Sequence, residues 1–307
     1  MSARREAPAA LGGEQVEGRR AVRELLAARR RRVLEVLVAK GREGSPALGE
    51  LEALAAAAGA RVRRVTPELL SARARTEAPQ GVLAVAEPLR PARLETLVRG
   101  AGAKAPAPFL VLLDGVTDPQ NLGAILRSAL SAGATGVLLP RQRAAHLSPA
   151  AVKASAGAVE HLPIALVPGA PAALLALRRA GVWSVGLDPE APLSVFELGL
   201  AAEAVALVLG SEGRGLAPLT RRRCDELARI PLAGPLGSLN VAAAAAVALF
   251  SVARARGRAP GPPARAGGPG AGSPRSWPGD REGRPSRSGA PAESARAGPL
   301  QRPGPPP

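Results

Sequence analysis

The chain has 307 residues and a mass of 31.0 kDa, enough for two modest domains, and 46% hydrophobic against 21% charged residues describes a globular chain. One cysteine (Cys224) excludes a disulfide framework and a cysteine-based zinc site, and two histidines (His146, His161) argue against a histidine-ligated metal. The net charge of +16 favours a polyanionic partner, RNA or DNA first, while 2% aromatics and no tyrosine count against base stacking on an aromatic platform.

The opening stretch MSARREAPAALGGEQ lacks the apolar core of a secretory signal, and no run reaches the ~18 apolar residues of a membrane span. A cytoplasmic protein with no membrane partner is expected. Residues 16–28 place Val22, Leu25 and Leu26 at helical spacing, so a helix is expected there. A strand follows over 33–40, a helix over 47–59 ended by Gly59, and a strand over 61–65. Thr66-Pro67 reads as the cap and first position of another helix, and 81–87 as a strand. These elements make a small α/β/α domain over 14–88. Residues 89–108, with prolines at 91, 106 and 108 after Pro88, read as a linker around one short helix.

From 109 the alternation resumes. Strands are expected at 109–114, 136–140, 162–167, 182–187, 204–210 and 227–232. Helices are expected at 121–133, 148–157 (capped by Ser148), 171–180, after Pro218, and 239–256. Apolar strands separated by helices mean an α/β fold with a buried parallel sheet, whose ligands bind beyond the carboxyl ends of the strands. Residues 257–307 form a separate tail. Its last 50 positions hold 13 prolines and 10 glycines with no periodicity, so it is expected to be disordered. The first hundred residues carry 19 basic and 12 acidic side chains, residues 101–257 carry 14 and 10, and the first part is therefore the better candidate for holding a polyanion.

Three polar, glycine-rich strings follow strands. DGVTDPQNLGAILR (114–127) sets Asn121 ahead of a helix that carries Arg127. LGSEGRGL (209–216) holds Gly210 and Glu212. IPLAGPLGSLN (230–240) holds Ile230, Leu232, Ser238, Leu239 and Asn240. None is a dinucleotide fingerprint or a phosphate loop, since the glycine spacing is wrong and no Lys-Ser/Thr follows. There is no serine nucleophile elbow and no cysteine–histidine pair. Singly, each string reads as a turn or a cap.

Together and in this order, the three strings resemble the signature motifs of the SpoU family of RNA ribose methyltransferases, within the SPOUT class, over residues 109–256. VEGRRAVRELL (16–26) and QGVLAV (80–85) resemble the ribosomal-protein-L30-like substrate domain of the subgroup acting on 23S rRNA guanosine. The resemblance implies a trefoil knot, a homodimer, S-adenosyl-L-methionine as methyl donor and no metal. It implies catalytic roles for Arg127, Asn121, Glu212, Ser238 and Asn240, and cofactor contacts at Gly210, Ile230, Leu232 and Leu239. A ribose hydroxyl is a poor nucleophile until its alkoxide is stabilised. A guanidinium stays charged at neutral pH, so Arg127 suits that electrostatic role better than the role of base. The implied substrate is a 23S rRNA guanosine. Rival readings are a tRNA guanosine, an rRNA adenosine, or an RNA-binding protein without catalysis. The final helix, with alanines at 242–246, is expected in the dimer contact, because small side chains let another helix approach.

Overall fold

The computed structural model describes residues 10–41, 44–99, 107–141, 146–199, 203–235 and 237–257. The tail expected to be disordered lies, from residue 258, outside the described residues. The described residues form one compact unit.

The first sheet has strand order β1-β4-β2-β3, built from β1 (Gln15–Glu17), β2 (Val33–Ala39), β3 (Arg61–Val65) and β4 (Val82–Ala86). β2 pairs parallel with β3, and β4 runs antiparallel to both β1 and β2. Alternation along these strands feeds two cores. Val36, Val38, Val82 and Ala84 face helices α1 (Arg19–Ala28) and α2 (Pro46–Ala57), while Leu37, Leu83 and Val65 cover Leu70 of α3 (Pro67–Arg73). Thr66 caps α3 by accepting from the Leu69 N–H.

The helix expected over 16–28 starts late. Val16 and Glu17 are in β1, and Gly18, at φ 90°, turns the chain into α1. Three residues of edge strand carry no periodicity of their own, and pairing with β4 decides their conformation.

The second sheet is wholly parallel, with order β7-β6-β5-β10-β8-β11-β9. Its strands are β5 (Phe109–Asp114), β6 (Gly136–Pro140), β7 (Ile164–Val167), β8 (Trp183–Leu187), β9 (Leu193–Ser194), β10 (Val205–Gly210) and β11 (Glu226–Arg229). Both faces are buried, which is why these strands read as unbroken apolar runs. Val111, Leu113, Val137, Leu207 and Leu209 face α5 (Pro119–Ser131), α6 (Pro149–Ala154) and α9 (Val241–Ala255). Leu110, Leu112, Leu138 and Val208 pack against α7 (Ala170–Arg179) and α4 (Leu94–Arg99), and α8 (Pro218–Arg223) docks on α7. Gly123 is what lets α5 meet α6, because a Cβ there would sit 2.4 Å from that of Ala154.

β11 lies between β8 and β9, so the chain joining β8 to β9 passes around a strand that comes later in sequence. The segment read as a linker is packed rather than free where it is described. Ala92 bridges to Ala165, and Leu97 is buried beneath the large sheet. No helix among the described residues is long and apolar enough to cross a membrane.

The two sheets are joined by polar contacts. Arg31 clasps Glu160 through Nε–Oε2 at 3.1 Å and Nη2–Oε1 at 2.6 Å, with both side chains buried. Arg31 also donates to the carbonyls of Gly13 and Glu87. His161 meets Glu24 at 2.8 Å, and Lys153 donates to Thr76 Oγ1 and the Ala78 carbonyl.

Candidate functional site

Four loops gather beyond the carboxyl ends of β5, β8, β10 and β11, where ligands of parallel sheets bind. Each has a local cause. Asp118 caps α5 by accepting from Gln120 N–H and Asn121 N–H, which fixes Asn121 in the first turn. Asp114, at the end of β5, accepts from the Ala217 N–H at 2.9 Å and ties down the loop after β10. That loop folds back on itself, with Ser211 and Gly215 exchanging backbone bonds at 2.9 and 3.0 Å. Only glycine fits at 210, since a Cβ would fall 2.1 Å from the Gly215 carbonyl carbon. Asn240 caps α9 through Oδ1, which accepts from Ala242 and Ala243.

Three of the expected catalytic residues meet. Asn121 Nδ2 donates to Glu212 Oε1, and Asn240 Nδ2 donates both to Asn121 Oδ1 and to Glu212 Oε1, each at 3.1 Å. The cluster draws one residue from each of the three strings. It uses both faces of each amide and leaves Glu212 Oε2 for another donor.

Beside it lies a cavity of about 410 Å³, within the size range of small-molecule sites. Gly210, Ile230, Leu232 and Leu239, the four expected cofactor residues, all line it, as do Glu212 and Ser238. Leu232 and Leu239 are exposed at 40% and 41% and present apolar surface along its wall. Ser238 is exposed and its hydroxyl is unengaged among the described residues. Ala244 of α9, expected at a helix contact, also faces the cavity.

Sequence reasoning missed the acidic side of this cavity. Asp188 and Glu190 line it, and Arg221 reaches over from α8 to bond Asp188 at 2.5 Å. Burial alone would raise the Asp188 carboxyl, but the Arg221 guanidinium and the Glu190 N–H outweigh it and hold Asp188 below the usual carboxylate range. The available signal was positional, since Asp188 directly follows β8, at a strand's carboxyl end.

S-adenosylmethionine fits this donor set. Apolar walls suit the adenine faces and the methylene groups beside the sulfonium, and the Asp188, Glu190 and Glu212 carboxylates suit ribose hydroxyls and positive charge.

Arg127 stands apart. It is exposed, makes no hydrogen bond or ion pair among the described residues, and does not line the cavity. It lies instead on the joint between the two sheets, near Arg20 and Gln120.

The chain resembles known proteins along both of its domains. Residues 108–250 match the model of the SpoU rRNA Methylase family, and residues 15–92 match that of RNA 2'-O ribose methyltransferase substrate binding. The chain is 39% identical over 254 residues to the 23S rRNA (guanosine-2'-O-)-methyltransferase RlmB of Yersinia pestis, covering 80% of this chain and 98% of the relative. It resembles the SpoU methyltransferase AviRb from Streptomyces viridochromogenes in complex with AdoMet, at TM-score 0.65 and 31% identity over 79% of this chain and 89% of that one. The AdoMet-bound rRNA methyltransferase from Sinorhizobium meliloti matches at TM-score 0.65 and 29% identity, covering 78% and 86%.

Proposed function

The chain belongs to the SpoU family of S-adenosylmethionine-dependent RNA 2'-O-methyltransferases, and from that membership we propose that its substrate is a guanosine ribose of 23S rRNA, modified in the cytoplasm. The observation that carries the catalytic reading is the Asn121–Glu212–Asn240 cluster, set at the mouth of a cavity lined by Gly210, Ile230, Leu232 and Leu239. Relatives from Yersinia pestis, at 39% identity over 80% of this chain, and from a Burkholderia species, at 46% over 66%, both carry the 23S rRNA guanosine name, which favours that target over a tRNA guanosine or an rRNA adenosine.

When bound, S-adenosylmethionine supplies an electrophilic methyl group. The protein's part is to place a ribose oxygen in line with it and to stabilise that oxygen as its proton passes to solvent water. Holding two reactants in line is worth up to about 7–11 kcal/mol. Asn121 and Asn240 fix the Glu212 carboxylate, whose free oxygen accepts from a ribose hydroxyl or a base edge. Ser238 offers a further donor at the cavity rim. Arg127 stabilises the developing alkoxide or the neighbouring phosphate, as a permanent cation does without exchanging a proton.

Arg127 lies outside its own chain's cavity, and this supports an active site completed by a second copy. The outer face of α9 offers the contact. Ala243 and Phe250 are exposed there, and Phe196 stands exposed beside it, so that two of the three phenylalanines of the chain face outward. The placement of β11 between β8 and β9 supports a threaded, knotted C-terminal region.

The test is incubation of the purified protein with in vitro transcribed 23S rRNA and labelled S-adenosylmethionine, followed by mass mapping. A single ribose-methylated guanosine is expected. Methylation of tRNA alone, or of a base atom, would overturn the substrate reading.

A further inference from the structure

Five charged side chains line the cavity beside the polar cluster: Asp188, Glu190, Glu212, Arg214 and Arg221. Three of them are already engaged. Glu212 is held by Asn121 and Asn240, while Asp188 accepts from Arg221 Nε on Oδ2 and from the Glu190 N–H on Oδ1. Glu190 and Arg214 are left. Both are exposed, neither side chain has a hydrogen bond or an ion pair among the described residues, and they do not pair with each other. Arg221 feels the charge of Glu190, but its Nε is spent on Asp188.

Both residues stand on hydrogen-bonded turns. Asp188 Oδ1 closes the turn at Glu190 at 2.9 Å, and the Ala191 N–H donates to the Asp188 carbonyl. Arg229 Nη1 donates to the Ala191 and Pro192 carbonyls and so ties the far side of that turn to β11. Arg214 lies between Gly213 at φ 75° and Gly215 at φ 63°, in the loop whose ends, Ser211 and Gly215, exchange backbone bonds. Two opposite charges thus line one cavity on fixed backbones and stay apart.

We propose that Glu190 and Arg214 bind the α-amino acid end of the methyl donor, Glu190 taking its ammonium and Arg214 its carboxylate. The assignment rests on the S-adenosylmethionine reading above and deepens it. The adenosine part needs apolar walls, which Ile230, Leu232 and Leu239 supply. The amino acid end carries one charge of each sign, and each is costly to take from water unless an opposite charge meets it. Glu190 and Arg214 are the two charged groups of this wall that can do so without breaking a bond already made. A guanidinium pairs with a carboxylate through two parallel hydrogen bonds, which fixes the direction of the tail as well as its place. Methyl transfer breaks the S–C bond and leaves its electron pair on sulfur. The tail keeps both of its charges, so the same two contacts hold donor and product alike.

The experiment is titration calorimetry on the full chain and on Glu190→Gln and Arg214→Gln. The ligands are S-adenosylmethionine, S-adenosylhomocysteine, the decarboxylated and deaminated forms of the latter, and 5'-methylthioadenosine, which lacks the amino acid end. Arg214→Gln is expected to weaken S-adenosylmethionine and S-adenosylhomocysteine about ten-fold each, the scale of one charge-assisted hydrogen bond, and to leave the decarboxylated form unaffected. Glu190→Gln should weaken the same two by a similar factor and leave the deaminated form unaffected. Equal binding of 5'-methylthioadenosine by all three proteins would report an intact pocket. Arg222→Gln, on α8 but outside the cavity, should change no affinity. Unchanged affinities in both variants, or equal weakening of every ligand, overturn the assignment while the methyltransferase reading stands. Weakening of S-adenosylmethionine alone by Glu190→Gln would put Glu190 on the sulfonium, and loss of 23S rRNA affinity alone by Arg214→Gln would put Arg214 on RNA; either result overturns the assignment too. Unaltered protein that binds none of these ligands overturns the methyltransferase reading itself.

Discussion

Asn240 donates to Asn121 across 119 residues of sequence, and the same Asn240 caps the last helix. One side chain thereby sets both the start of α9 and the hydrogen-bonding face of the polar cluster. Its two jobs separate by substitution. Asn240→Asp keeps the capping oxygen, loses the donor and sets a second carboxylate against Glu212. Methyl transfer should fall at least about 100-fold, the scale of losing one positioned donor, with stability nearly unchanged. Asn240→Ala removes the cap as well and should cost about 1 kcal/mol in addition. Single-turnover kinetics and chemical denaturation measure the two effects.

Arg127→Ala should nearly abolish methyl transfer while leaving S-adenosylmethionine affinity intact, because Arg127 does not touch the cavity. An exposed side chain with no partner among the described residues should change stability by no more than about 0.5 kcal/mol. Calorimetric cofactor binding beside single-turnover rates decides it, and turnover like that of the unaltered protein would remove Arg127 from the mechanism.

Arg31→Ala strands Glu160, whose side chain is wholly buried. Breaking a buried pair costs about 3–5 kcal/mol, so urea unfolding should show a loss of that size. Replacing both partners, as Arg31→Met with Glu160→Leu, should recover much of it, since no charge is then left without a counterpart. Equal losses in the single and double variants would show that packing rather than charge accounts for the cost.

Much of this frame was legible in the sequence because it is local. Thr66, Ser148 and Asn240 cap helices as their residue types announce, and the apolar runs of the large sheet read directly as buried strands. β1 was not legible, because three residues of edge strand are decided by a partner 70 residues away. The Asp188–Arg221 pair was hidden for a similar reason, its role being set by chain segments distant in sequence. Asn121, Glu212 and Asn240 could be proposed from the motif strings, but only the fold shows that their amides and carboxylate bond one another. Nothing in the spacing of Arg127 foretold that it would face the joint instead of the cavity.

Cys224 is packed under Gly186, and burial first, then the charges of Asp225 and Asp114, push its thiol up to about 12 from an ordinary 9.0. Thiol reagents at pH 8 should therefore leave the native protein unmodified and label it promptly in denaturant. Unfolded chains release the thiol proton above about pH 9 while the native chain keeps it. This group's contribution to stability is therefore intact below that pH and declines between pH 9 and about 12. Rapid native labelling at pH 8 would contradict the burial.

Phe250→Glu places a charge on the exposed face of α9 and should convert a dimer to monomer in sedimentation, with loss of methyl transfer. Unaltered protein that sediments as an active monomer at micromolar concentration would exclude the second copy from the reaction.

The Arg31–Glu160 clasp ties the small domain to the methyltransferase domain through two charged groups held out of water. A hinge at that joint would have to leave a buried carboxylate without its counterpart, which is costly. An RNA that touches both domains would then meet a preset interval, and a variant with a loosened clasp is expected to accept a wider range of RNA shapes.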